Sequence, residues 1–251
     1  KKDFKMIVQT SDEIEKVKKA CLIVREILEG ISEIIKPGIS TYDIDELAYE
    51  MMKKREVVPA FKDYGGFPAN ICVSINEEVV HGIPKKERIL KEGDIVSVDI
   101  GVIYDGFYGD CADTFPVGEI KQIHKKLIDV TKKAFYIGVD YIKDGVMTGD
   151  IGNSIQQFVE SNGFSVVKAF AGHGIGKKLH DFPELANFGN KGEGEILKDG
   201  MVICIEPMVN EGTWKVKILD DGWTAITSDR KYSAHYENEV LVRKEKGEIL
   251  S

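Results

Sequence analysis

No two of the four cysteines in this chain form a CxxC pair; Cys21, Cys72, Cys111 and Cys204 are scattered over 251 residues. Neither a disulfide framework nor a cysteine-held zinc site is expected, and the thiols fit a reducing compartment. Runs of basic residues are also missing. With a formal net charge of −8, the chain offers no electrostatic footprint for nucleic acid or an anionic membrane surface. No apolar run approaches the roughly 18 residues of a membrane span. The opening KKDFKMIVQT lacks the apolar core of a secretory leader, so a cytoplasmic protein is expected. A Pro/Gly/Ser-rich linker is absent too, and the length suffices for a real core. The reading is therefore a single domain over residues 1–251.

What is present begins with a helix. Thr10 and Glu13 have capping-box spacing and open a helical stretch that stops at Pro37-Gly38. A second helix follows Thr41, with Ile44, Leu47, Ala48 and Met51 on one face. Strands are expected around 71–75, 94–103 and 107–115. After Gly118 the order returns: a long helix ending near Lys143-Asp144-Gly145, a shorter one over about 149–161, and strands from Ser165 onward. The residues repeat as well. IIKPGISTYDI (34–44) resembles YIKDGVMTGDI (141–151), and ILKEGDIVSVDI (89–100) resembles ILKDGMVICIEP (196–207), both at an offset of 107. Two matches at one offset imply an internal pseudo-repeat, about 12–118 and 119–245, of two helices followed by an antiparallel sheet. The same offset carries Asp99 onto Glu206, so a carboxylate recurs at one point of an apolar strand. If the halves face each other about a twofold axis, these carboxylates converge near it.

That placement needs a chemical reason, because an unpaired buried carboxylate is costly. Asp99 lies among Ile95, Val96, Val98, Ile100, Val102 and Ile103, and Asp110 and Asp113 follow a turn near Tyr104-Asp105-Gly106. With the midpoint between Tyr104 and Asp105, Asp99 and Asp110 oppose each other on one face. Two such charges need a proton or a cation between them. Asp105 and Asp113 read as ordinary solvated hairpin residues. In AFAGHGIGKKLHDFPE, His173 stands between glycines that permit a close backbone approach, and His180 follows. His124, in QIHKKL, reads as a helix-surface residue. VICIEPMV supplies Glu206, and SAHYENEVLV supplies Glu237 and Glu239, two residues apart on one strand face, of which only one need turn inward. Counting one of that pair, the carboxylates sum to about −4, which two divalent cations would balance. Carboxylates with one imidazole suit Mn, Fe(II), Co or Zn, and a metal pair suits amide hydrolysis.

NEEVVHGIP, VSVDIGVIYDGFYGDCADTF, AGHGIG, ICIEP and SAHYE together resemble the type I methionine aminopeptidases, in order and over about residues 6–245. The resemblance implies the α+β pita-bread fold, with pseudo-twofold halves around a central curved antiparallel sheet. It implies Asp99, Asp110, His173, Glu206 and Glu237 as ligands of two divalent ions (Co, Mn, Fe(II) or Zn), and so favours Glu237 over Glu239. Glu206 doubles as proton shuttle, His81 contacts the scissile amide, and His180 steadies its carbonyl oxygen. Tyr64, Phe67, Cys72 and Trp223 would form the methionine pocket, with a soft lining suited to a thioether. Asn76 and Ser233 match positions where some members hold Na or K.

The implied activity is removal of N-terminal methionine when the second residue is small, from nascent chains at the ribosome and from peptides starting with Met. The enzyme would be monomeric and would use no specific nucleic acid and no membrane. Three pocket positions depart from the family pattern: Leu179 where an aromatic is frequent, Phe61 where a cysteine is common, and Phe67 where a tyrosine is common. The rivals are a proline-directed pita-bread aminopeptidase or dipeptidase, and a non-catalytic binding protein of the same fold. The first usually carries a further N-terminal domain. The second typically loses ligands that are all present in this chain.

Overall fold

The computed structural model describes residues 10–251; the N-terminal stretch 1–9, from which no leader is expected, lies outside the described residues. Among these residues, four α-helices accompany short, entirely antiparallel strands. No helix among them is long and apolar enough to cross a membrane.

Helix α1 (Ser11–Ser32) starts where its capping box says it should. Thr10 Oγ1 accepts from the Glu13 N–H, and the Glu13 carboxylate accepts from the Thr10 N–H at 2.9 Å. It ends at Ser32, before Pro37. Val17, Ala20, Val24, Ile27, Leu28 and Ile31 recur at helical spacing and are buried. Helix α2 (Thr41–Lys54) has Ser40 as its N-cap, with Ile44, Ala48 and Met52 buried. Both helices share an apolar cluster with Val96, Val98, Ile100 and Val102 of the strand Ile95–Tyr104. Helices α3 (Gln122–Val139) and α4 (Thr148–Ser161) cover a second cluster with Ile203, Ile205 and Val240. Helix α3 ends earlier than Lys143; residues 140–147 form turns before α4.

Two sheets carry the candidate residues. In one, the strand Ile95–Tyr104 pairs with Phe107–Pro116 along one edge and with Cys72–Ile75 along the other. In the other, Asp181–Ala186, Ala171–Gly174, Val202–Ile205, Asn238–Leu241 and Glu248–Ile249 lie in that order. The sheets meet at Ala112 and Glu237, which exchange backbone hydrogen bonds of 2.9 and 3.2 Å.

The hairpin register corrects the sequence reading. Asp99 lies across from Ala112, and Asp110 across from Gly101. The turn is centred on Asp105 and Gly106, both with positive φ (47° and 79°), the two-residue turn whose twist matches antiparallel strands. Its midpoint therefore falls one residue later than expected. Asp99 and Asp110 become diagonal neighbours, still on one face because side chains alternate. Asp113 is on the other face. It is not solvated: its side chain is 13% exposed and sits 3.7 Å from Lys132 Nζ. His124 is also not on the surface. Its ring stacks on Tyr232 at 3.9 Å and its Nε2 lies 3.5 Å from Glu211, contacts made by residues far along the chain.

Candidate metal centre and substrate pocket

The apolar strands that carry these acids leave them nowhere to go but inward. Asp99, Asp110, His173, Glu206 and Glu237 all line one cavity of about 220 Å³, below the roughly 300–1,000 Å³ typical of drug-sized ligands and so fitted to a smaller group. Asp110, His173 and Glu237 are buried. His173 lies on the short strand Ala171–Gly174, and the glycines around it answer a local demand. A Cβ at Gly172 would fall 2.3 Å from the Cys204 carbonyl oxygen, and one at Gly174 would fall 2.1 Å from that of Phe182. The close approach expected there is strand against strand.

The tautomer of His173 follows from one contact. Its Nδ1 lies 3.0 Å from the Gly174 carbonyl oxygen, which can only accept, so Nδ1 carries the proton. In the neutral ring Nε2 then presents a lone pair, 3.6 Å from Glu206 Oε1 and 4.0 Å from Asp110 Oδ2. A lone pair facing carboxylate oxygens is repulsive unless a proton or a cation lies between them. Asp99 Oδ1, Asp110 Oδ1 and Glu237 Oε1 are buried with no hydrogen-bond partner, which ordinarily marks a missing ion or water. The donor set fits a divalent metal.

Electrostatics says the same. Burial first, then the neighbouring acids, pushes the carboxyls of Asp110, Glu206 and Glu237 well above the usual carboxylate range. Burial lifts Asp99 to about 7 and lowers His173 to about 4. A neutral imidazole among reluctant carboxylates is poised for a metal ion rather than for a proton.

The expected pocket residues converge on the same cavity. Tyr64, Phe67, Cys72 and Trp223 line it, as do Phe61 and Leu179, the positions that depart from the family pattern. Phe67 and Trp223 meet edge to face at 5.3 Å. His81 has φ of 61°, a left-handed backbone that costs on the order of 1–3 kcal/mol and clusters at functional sites. Its ring meets Phe170 edge-on, and burial lowers its pKa to about 4. His180 packs edge-on against His173 at 4.4 Å, and its Nδ1 lies 2.9 Å from the Tyr64 hydroxyl. Asn76 and Ser233 lie outside the cavity but adjoin, with the Ser233 N–H donating to the Asn76 carbonyl at 2.8 Å.

Sequence reasoning missed three features. Phe170 and His235 also line the cavity; His235 stands two residues before Glu237, a spacing that would have found it. Glu239 is as buried as Glu237, against the expectation that one of the pair turns inward. The Ala112–Glu237 bridge sets Glu239 behind Asp110, whose N–H donates to Glu239 Oε1.

Comparison with known proteins follows this geometry closely. The family model for metallopeptidase family M24 matches residues 15–244. A methionine aminopeptidase of Clostridium acetobutylicum is 49% identical, covering 98% of both chains. Methionine aminopeptidase 1 of Bacillus subtilis is 44% identical over 98% of this chain and 99% of its own. The crystal structure of a Thermotoga maritima methionine aminopeptidase superposes with a TM-score of 0.96 at 46% identity, covering 98% of each chain. A Pyrococcus furiosus prolidase shares the fold, with a TM-score of 0.80 at 22% identity. This chain spans 65% of its length.

Proposed function

The chain belongs to metallopeptidase family M24, and from that premise we propose how its pocket works as a methionine aminopeptidase. It is a metal-dependent aminopeptidase of pita-bread fold that removes N-terminal methionine from proteins and peptides when the second residue is small. The methionine aminopeptidase relatives are 49% and 44% identical to this chain, whereas the prolidase is 22% identical. The methionine reading therefore stands ahead of the proline-directed one.

Asp99, Asp110, His173, Glu206 and Glu237 are assigned as ligands of two divalent ions, drawn from Co, Mn, Fe(II) and Zn. The observation that carries this is that all five line one cavity, with a buried oxygen on each of Asp99, Asp110 and Glu237 left without a hydrogen-bond partner. Divalent metal held there would supply the charge that polarises the scissile carbonyl and acidifies the attacking water. The protein does the rest. Tyr64, Phe67, Cys72 and Trp223 take the methionine side chain. The Tyr64 hydroxyl donates to His180 Nδ1, leaving Nε2–H to donate to the carbonyl oxygen as negative charge develops on it. His81 holds the scissile amide. Glu206 takes a proton from water as its oxygen joins the carbonyl carbon, then delivers it to the nitrogen as the C–N bond breaks. A large second side chain would collide on the His81 side of the cleft, against Phe170. The Asn76 side chain already bonds Asp94 and Ile95, so Asn76 would offer a Na or K ion its backbone carbonyl, with Ser233 as the neighbouring ligand. The natural substrates are nascent chains at the ribosome, met by a cytoplasmic monomer.

The test is to strip the protein with chelator and add back each metal while following methionine release. Metal-dependent release from Met-Ala-Ser and not from Met-Lys-Ser is expected. No release with any metal, from folded protein, would overturn the reading in favour of the binding-protein alternative.

A further inference from the structure

One buried imidazole in this cavity is left without a role. His235 ends the strand Ser233–His235 and is 2% exposed. Its backbone is held at both polar atoms by one side chain: the N–H donates to Thr114 Oγ1 at 2.9 Å, and the carbonyl accepts from that hydroxyl at 2.8 Å. The ring is thereby anchored to the strand that carries Asp110. Its Nε2 is buried and has no hydrogen-bond partner. It lies 3.6 Å from Glu237 Oε2 and 3.9 Å from Glu206 Oε2, too far for hydrogen bonds.

Those distances suit another relation. Two donor atoms each about 2.1 Å from a shared ion stand about 3.4 Å apart at a tetrahedral angle and about 4.2 Å apart when opposed. One ligand atom from each of Asp99, His235 and Glu237 lies within 4.8 Å of the others, and so does one from each of Asp110, His173, Cys204 and Glu237. The groups overlap only at Glu237 and contain one histidine each. We infer that His235 is a sixth metal ligand, giving the ion at Asp99 and Glu237 its own imidazole nitrogen, as His173 serves the other ion. The inference rests on the ligand set proposed above and adds a nitrogen donor to it. Nitrogen tilts that position away from Mn and toward Co, Fe(II) or Zn.

Cobalt-loaded protein gives a direct count. An imidazole bound to Co(II) shows its N–H proton as a strongly shifted NMR resonance that vanishes in D2O. Wild-type protein with two equivalents of Co(II) should show two such resonances, and His235→Gln one. Calorimetry should find the second Co(II) weakened at least about 100-fold in His235→Gln, the upper end of what an outer hydrogen-bonding residue costs. A single shifted N–H in the wild type would overturn the inference whatever the affinities, and that count needs no variant to fold. Failure of the wild type to bind Co(II) at all would overturn the underlying ligand set along with it. One resonance accompanied by two bound ions would overturn the role of His235 alone.

Discussion

The two halves of the chain bring their acids to the cavity by different routes. Asp99 and Asp110 share one hairpin, and the turn at Asp105-Gly106 is enough to put both on one face. His173, Glu206 and Glu237 come from three segments that meet only because the five-stranded sheet is complete and Glu237 is bonded to Ala112. One side of the centre is local, the other depends on the whole fold. The chemistry differs with it. The hairpin contributes only carboxylates, whereas the assembled side also contributes imidazole and the acid proposed to shuttle protons. Damage far from the cavity should scatter the second set and spare the first.

The sharpest way to separate the two sides is through their acids. Glu206→Gln keeps the volume and loses the base, so turnover should fall by about 10³-fold or more, since positioned acid–base groups are worth roughly 10²–10⁴. Single-turnover release of methionine from Met-Ala-Ser measures it, and near-normal turnover would remove Glu206 from the proton path. His81→Ala should cost less, about 10²-fold, as for one lost transition-state hydrogen bond. The loss should fall on turnover while metal uptake stays intact. An unchanged rate would mean that the strained backbone at His81 serves something else.

The same contrast explains what could be read from the sequence. The capping box at Thr10, the helix order and the shared face of Asp99 and Asp110 are short-range features that spacing fixes. The register was displaced because the turn centre was set one residue early, while the Asp105-Gly106 pair was already the stronger turn signal. Contacts between distant segments were not legible. QIHKKL looks like a solvated helix face, and only Tyr232 and Glu211, arriving from the far end of the chain, bury His124. Glu239 became a buried partner of the Asp110 backbone through the bridge at Ala112, which no local pattern marks. The pocket walls were reached by resemblance to a family, because Tyr64, Phe67 and Cys72 on one stretch and Trp223 far along the chain carry no spacing signal that joins them.

The mildest expected change tests whether face, rather than residue type or sequence position, selects the centre. Asp113 is on the same strand as Asp110 but on its opposite face. Its carboxylate meets Lys132 at 3.7 Å, where the lysine is 42% exposed. Half-solvated pairs of this kind contribute about 0–1 kcal/mol. Burial also pushes the Asp113 carboxyl above the usual range, which offsets part of what the lysine gives. An asparagine oxygen can still accept from the Thr114 N–H, a bond of 2.8 Å now made by Asp113 Oδ1. Asp113→Asn should therefore leave turnover and metal uptake within about twofold of wild type and lower unfolding stability by less than about 1 kcal/mol. Asp110→Asn, three positions earlier, should lose metal uptake measured by calorimetry. If both variants lost metal equally, the division of the hairpin into an inner and an outer face would not be what builds the centre.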